Sequence, residues 1–293
     1  MKILILLKNW EGGVGNAILS LKKELEKKGC IIKIISREND LKIFSLRKSI
    51  FPIREKIKNL IKNKEYDIIY TQDWSLAFPL IFPYPIFKKN HFCCFHGNDK
   101  FFLSLIFQKL IGKIMGKRLI VVGDALKKQF PRSNLIFNGV DLKKFKPLKG
   151  IKRLKNSIGF VNWKTEEYHF NEVTQSAKSL KKRLFIAEKI LPEEMPEFYN
   201  KIEMLISLPP SYTGFGLTWL EAMASGVPKI IGNRFGIGKK LPIEHIENYR
   251  NLKEAISKSK SKNYRYWIKK EGKEYNWNIC SEKIIKIFKS SNK

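Results

Sequence analysis

A chain of 293 residues, 43% of them hydrophobic, has apolar mass for two domain cores, which excludes a disordered chain. Its 57 Lys and Arg against 27 Asp and Glu leave a net charge of +30, but the lysines are scattered as pairs and singles. With no block of five or six like charges and no nucleic-acid module, that charge argues against nucleic acid as the main partner and leaves an anionic membrane surface or a bias of composition. Cys30, Cys93, Cys94 and Cys280 show no Cys-x-x-Cys spacing. Neither a zinc site nor a disulfide framework is expected, and a reducing cytoplasm fits best. No apolar run reaches the ~18–20 residues of a membrane span, so the expected protein is soluble or peripheral.

Lys2–Leu7 is a continuous apolar run, as a parallel strand covered on both faces requires. A glycine loop over residues 9–16 holds Gly12, Gly13 and Gly15, after which Ala17, Leu21 and Leu25 recur at helical spacing until Gly29. Strand, glycine loop and helix make the first half of a Rossmann-like unit without the full dinucleotide fingerprint. Residues 31–35 read as the next strand. Residues 46–64 read as a helix interrupted near Pro52, with Ile53, Ile57, Leu60 and Ile61 on one side and many cations, Arg54 among them, on the other. That cationic face is either solvated or a patch for anionic lipid.

Strands follow at 67–70 and 92–95, the second ending in His96-Gly97-Asn98-Asp99. A polar cluster past the carboxyl end of a strand is where open α/β sheets place ligands. Residues 101–115 read as a strongly apolar helix turned to the core, with Lys109, Lys113 and Lys117 on its wet side. A strand at 119–122 and a helix around 125–130 complete this half, and Asn138-Gly139 has the chemistry of a turn.

The second half reads as a strand at 158–161, a helix at 170–180, strands at 184–187 and 204–208, and a helix at 193–200 between those two. Residues 211–230, SYTGFGLTWLEAMASGVPKI, give a polar turn, two glycines, a short helix carrying Glu221, a Gly-Val-Pro stop and a further strand. The free N–H groups opening such a helix, with the positive end of its dipole, suit a phosphate. A last helix opens near residues 275–277.

Gly214-Phe215-Gly216-Leu217, followed by Leu220-Glu221-Ala222-Met223-Ala224 and Gly226-Val227-Pro228, resembles the nucleotide-sugar signature of GT-B glycosyltransferases, specifically the large retaining family four. The resemblance implies an α/β fold of two Rossmann-like domains whose parallel sheets face a central cleft. Residues 1–148 would form the acceptor-side domain and 149–293 the nucleotide-sugar domain, the last helix (about 276–290) packing back on the first. It also implies transfer of a sugar from a nucleoside-diphosphate sugar to a glycan or lipid-linked acceptor, with retention, no cofactor and no obligatory metal. A cytoplasmic protein, peripheral on the inner membrane face, is the expected setting.

On this resemblance His96 would orient the donor sugar or the acceptor, Gly12, Gly13, Gly214, Phe215, Gly216 and Leu217 would line the donor, and Glu221 would accept from ribose hydroxyls. Thr213 stands where the family has an acidic residue, eight positions before Glu221. The family's Gly-Arg and Lys-Gly grips on the diphosphate are replaced by Asn162-Trp163-Lys164, so Lys164 or Lys189 would supply that charge from positions that do not match. Two other readings stay open: a catalytically silent relative serving as a binding or partner subunit, and a basic nucleic-acid-binding α/β protein.

Overall fold

The computed structural model describes all residues except 44–45, 63–65, 87–89, 189, 213–214 and 291–293. The chain divides into two compact units, Met1–Asn138 with Trp277–Lys293, and Gly139–Asn276. The first unit alternates β1 (Lys2–Leu7), α1 (Gly12–Lys27), β2 (Ile31–Ser36), α2 (Leu46–Lys62), β3 (Ile68–Thr71), α3 (Trp74–Ile81), β4 (His91–Phe95), α4 (Phe102–Met115), β5 (Leu119–Val121), α5 (Asp124–Gln129) and β6 (Asn134–Leu135). The strands form one parallel sheet in the order β2-β1-β3-β4-β5-β6.

Continuous apolar strands are explained by cover on both faces. On one face Leu4, Leu6 and Ile69 pack with Ile53 and Ile57 of α2 and Leu76 and Leu80 of α3, and Cys93 and Phe95 pack with Ile111 and Met115 of α4. Four of the expected features change here. The glycines of residues 12–15 are no loop but the first turn of α1. Helix α2 runs unbroken through Pro52, because the lost backbone bond is outweighed by burial of Ile53 and Ile57.

Arg54 leaves the cationic face altogether: it is buried and donates to the carbonyls of Pro79 (3.0 Å), Phe82 (2.8 Å) and Tyr84 (2.8 Å). Helix α4 buries only Gln108, Ile111, Gly112 and Met115, so most of its apolar side chains face outward rather than into the core.

The second unit contains β7 (Ser157–Phe160), α6 (Phe170–Ser179), β8 (Arg183–Ile186), α7 (Met195–Lys201), β9 (Met204–Ile206), α8 (Leu217–Ala224), β10 (Lys229–Gly232), β11 (Glu244–His245), α9 (Leu252–Lys258) and α10 (Tyr264–Lys270). Its sheet is also parallel, in the order β11-β10-β9-β7-β8. The chain passes from one unit to the other after Asn138, ten residues before the expected boundary at 148. Residues 139–148 belong to the second unit through their backbone: Val140 N–H donates to Tyr275 O (3.0 Å) and Leu148 N–H to Asn200 Oδ1 (2.9 Å).

The closing helix, α11 (Trp277–Ser290), belongs to the first unit, beside α1 on the sheet face away from α2–α4. Its Phe288 ring lies 5.3 Å from Tyr70 and 4.6 Å from Phe92.

Candidate functional site

In the second unit the chain leaves β9 at Ser207 and reaches α8 ten residues later. Trp219 fixes how it gets there: the indole is buried and its Nε1 donates to Ser207 O at 3.1 Å. Gly216, at the N-cap of α8, has φ +78°, and a Cβ there would stand 2.5 Å from Trp219 Cε3. Glycine is required by both the backbone and the packing. The same indole crowds Gly232 and Gly238, where a Cβ would come within 2.9 Å and 3.1 Å of it. Phe215 is buried, its ring 6.1 Å from that of Tyr275.

The other end of α8 is held by two arginines. Arg153 donates to Ser225 O (3.0 Å) and Gly226 O (2.8 Å), and also to Tyr199 O and Ile202 O. Arg265 donates to Ala224 O and to Phe145 O. Both guanidiniums sit at the negative end of the helix dipole.

Glu221, one turn into α8, accepts from Tyr199 Oη through Oε2 at 2.9 Å. Burial pushes its carboxyl up to about 7, against the opposing pull of the Tyr199 hydrogen bond and the Lys144 charge. The same burial, with Glu221 beside it, holds the Tyr199 hydroxyl well above its ordinary value, so it stays a donor. Tyr199 was missed by sequence reasoning: it lies 22 residues earlier, on α7, in a segment with no motif.

Lys164 forms an ion pair with Glu188, so part of its charge is already met. Behind it Asn162 Nδ2 donates to Ser207 Oγ at 3.2 Å, tying the end of β7 to the end of β9. Lys189, Thr213 and Gly214 lie outside the described residues.

In the first unit Gly12 and Gly13 open α1, Gly12 at φ +76°, with open space where a side chain would project. The N-cap Glu11 makes no side-chain cap bond, so its carboxylate stands at the positive end of the helix dipole without tying up the first N–H groups.

His96 sits just past β4 on the face shared with α1 and α11. It lines a small cavity with Ile18, Tyr70, Cys94, Trp277 and Cys280. Its Nε2 is 3.0 Å from Gln72 Oε1, and burial pushes its pKa down to about 4, so the ring is neutral at pH 7. The Gln72 amide thus holds one ring nitrogen, which leaves Nδ1 for another partner. A neutral ring of this kind orients a hydroxyl and does not serve as a general acid. Gln72 is a second residue that sequence reasoning missed. The loop behind His96 is pinned: Gln108 Nε2 donates to Gly97 O (2.7 Å), Asp99 N–H to Gln108 Oε1 (3.0 Å) and Trp74 Nε1 to Asp99 Oδ2 (2.8 Å).

Two parallel sheets of this connectivity, closed by a last helix that returns to the first unit, have counterparts among solved structures. Sucrose-phosphate synthase from Thermosynechococcus elongatus superimposes with a TM-score of 0.75 at 14% identity, covering 99% of each chain. The catalytic domain of starch synthase IV from Arabidopsis thaliana, bound to ADP and acarbose, gives 0.69 at 12%, again with 99% of each chain. HepE from Anabaena, in complex with UDP and glucose, gives 0.59 at 13%, with 99% of this chain and 98% of that one. The chain has the GT-B fold. Residues 116–245, which include Glu221 and the start of α8, match the model of the glycosyl transferases group 1 family. A comparison with curated proteins finds no significant match. The family match and the GT-B fold together support glycosyl transfer as the activity.

Proposed function

We propose that this protein transfers a sugar from a nucleoside-diphosphate sugar to a glycan or lipid-linked acceptor, with retention at the anomeric carbon and no obligatory metal. The observation that carries the reading is Glu221: a half-buried carboxylate held through one oxygen by Tyr199, on a glycine-started helix inside the matched residues. A carboxylate so placed accepts from a ribose diol, as acidic residues do in dinucleotide folds. UDP and ADP in the HepE and starch synthase structures support a nucleotide ligand for this fold.

Departure of the diphosphate needs its growing negative charge to be met by preorganised donors. In the second unit the N–H groups opening α8 near Phe215, Gly216 and Leu217, with a cation such as Lys164 or Lys189, have that role; the uncapped start of α1 at Gly12 and Gly13 is the corresponding anion seat of the first unit. His96, neutral and held through Nε2 by Gln72, orients a hydroxyl of the donor sugar or of the acceptor. Thr213 offers a hydroxyl in place of the family's carboxylate, which lowers transition-state stabilisation more than donor binding.

The test is incubation with a panel of nucleotide sugars and acceptors, with and without EDTA, following released nucleoside diphosphate and the product anomer. Release insensitive to EDTA, with a retained anomer, is the expected result. Thr213→Glu is expected to raise turnover or change the preferred sugar. Nucleotide-sugar binding without release in either protein would favour the silent partner subunit, for which Thr213 is the specific observation.

A further inference from the structure

Helix α4 presents an unusual outer face. Phe102 is 76% exposed and Leu103 69%, and Ile106, Leu110 and Ile114 are also exposed, as is Phe101 before the helix. At 3.6 residues per turn, Leu103, Ile106, Leu110 and Ile114 fall within an arc of about 80°, a continuous apolar stripe. Phe107 beside them is half-anchored, stacked on Trp74 with centroids 5.7 Å apart. Exposed Lys109 and Lys113 border the stripe on one side, and Lys100 and Lys117 stand near its two ends. No Asp or Glu occurs between Asp99 and Asp124. On the same side of the sheet α2 adds the exposed ring of Phe51.

We infer that this face docks on a membrane surface rich in anionic lipid. Its apolar stripe enters the headgroup–acyl boundary, and the lysines on its margin meet lipid phosphates. Charge complementarity decides the occupant. A second copy of the chain would bring the same lysines and another +30 of net charge to the contact, whereas an anionic bilayer meets both the stripe and the cations. The helix is 14 residues long, so it lies on the bilayer, and among the described residues no helix is long and apolar enough to cross one. The inference is independent of the glycosyl transfer reading, since docking needs no turnover.

The test is co-sedimentation of the full chain with vesicles of phosphatidylcholine mixed with phosphatidylglycerol, against phosphatidylcholine alone. Binding to the mixed vesicles is expected, weakening with salt. Leu103→Ser, Ile106→Ser and Leu110→Ser together are expected to lower it by on the order of tenfold or more. Lys109→Gln with Lys113→Gln is expected to lower it by roughly tenfold at low salt. Because all five side chains are exposed, nucleotide affinity and the unfolding midpoint should not move, which separates lost docking from lost folding. Equal binding to both vesicle types, no binding to either, or a dimer in solution abolished by the triple substitution would each overturn the inference.

Discussion

Glu221→Gln separates two effects that the same carboxylate combines. In the folded protein this carboxyl titrates near 7, against an ordinary value of 4.5. A raised folded pKa means that the unfolded chain releases a proton first, so this group's contribution to stability is complete below about pH 4.5. It is then lost as pH rises to about 7. At about 1.36 kcal/mol per unit, the loss between pH 5 and pH 8 is on the order of 2–3 kcal/mol. Glutamine keeps an oxygen for the Tyr199 hydroxyl and cannot ionise. The variant should therefore gain on the wild type by about that amount across this window, as read by urea unfolding at both pH values. In the same window nucleotide binding by the wild type should strengthen as the carboxylate forms, and the variant should bind about 1–3 kcal/mol more weakly at pH 8 with a flat profile. A stability difference unchanged between pH 5 and pH 8 would refute the buried-carboxylate argument. Unchanged nucleotide affinity in the folded variant would remove Glu221 from the site.

Arg54→Met should cost about 2–4 kcal/mol in urea unfolding, since three charge-assisted bonds to carbonyls of the α3 region vanish. An unchanged midpoint would return Arg54 to the surface. Gly216→Ala forces a side chain into φ +78° and against Trp219, so a loss of about 2 kcal/mol or more is expected together with weaker nucleotide binding. Full stability in that variant would show that the N-cap of α8 rearranges freely.

The strands were legible because a parallel sheet covered on both faces needs unbroken apolar runs, and Lys2–Leu7 and His91–Phe95 supply them. Helix α3 was not anticipated: it has eight residues, contains Pro79 and is apolar on nearly every side, so no period stands out. Its one local signal is Asp73, whose carboxylate caps Ser75 N–H at 3.2 Å. Helix α4 misled for a related reason. A helix apolar all round reads as buried, and only the tertiary structure shows which side the sheet covers. Arg54 counted as one more surface cation because its carbonyl partners lie 25–30 residues downstream. Glu221 was found through a signature of neighbouring residues, whereas Tyr199 and Gln72 act on their partners from 22 and 24 residues away in segments of ordinary composition.

The arrangement around α8 shows why that signature is local while its function is not. Eight residues are too few for a stable helix in water, so α8 exists through what holds its ends. Trp219 and the glycines it crowds set the entry, and Arg153 and Arg265 take the carbonyls at the exit. An anion at the entry would then meet N–H groups already aligned, with little reorganisation left to accompany binding, which is the condition for electrostatic stabilisation of a departing diphosphate. The signature records the entry and Glu221. The exit depends on arginines 71 residues before Ala224 and 41 residues after it, which hold backbone carbonyls and so determine where the helix points.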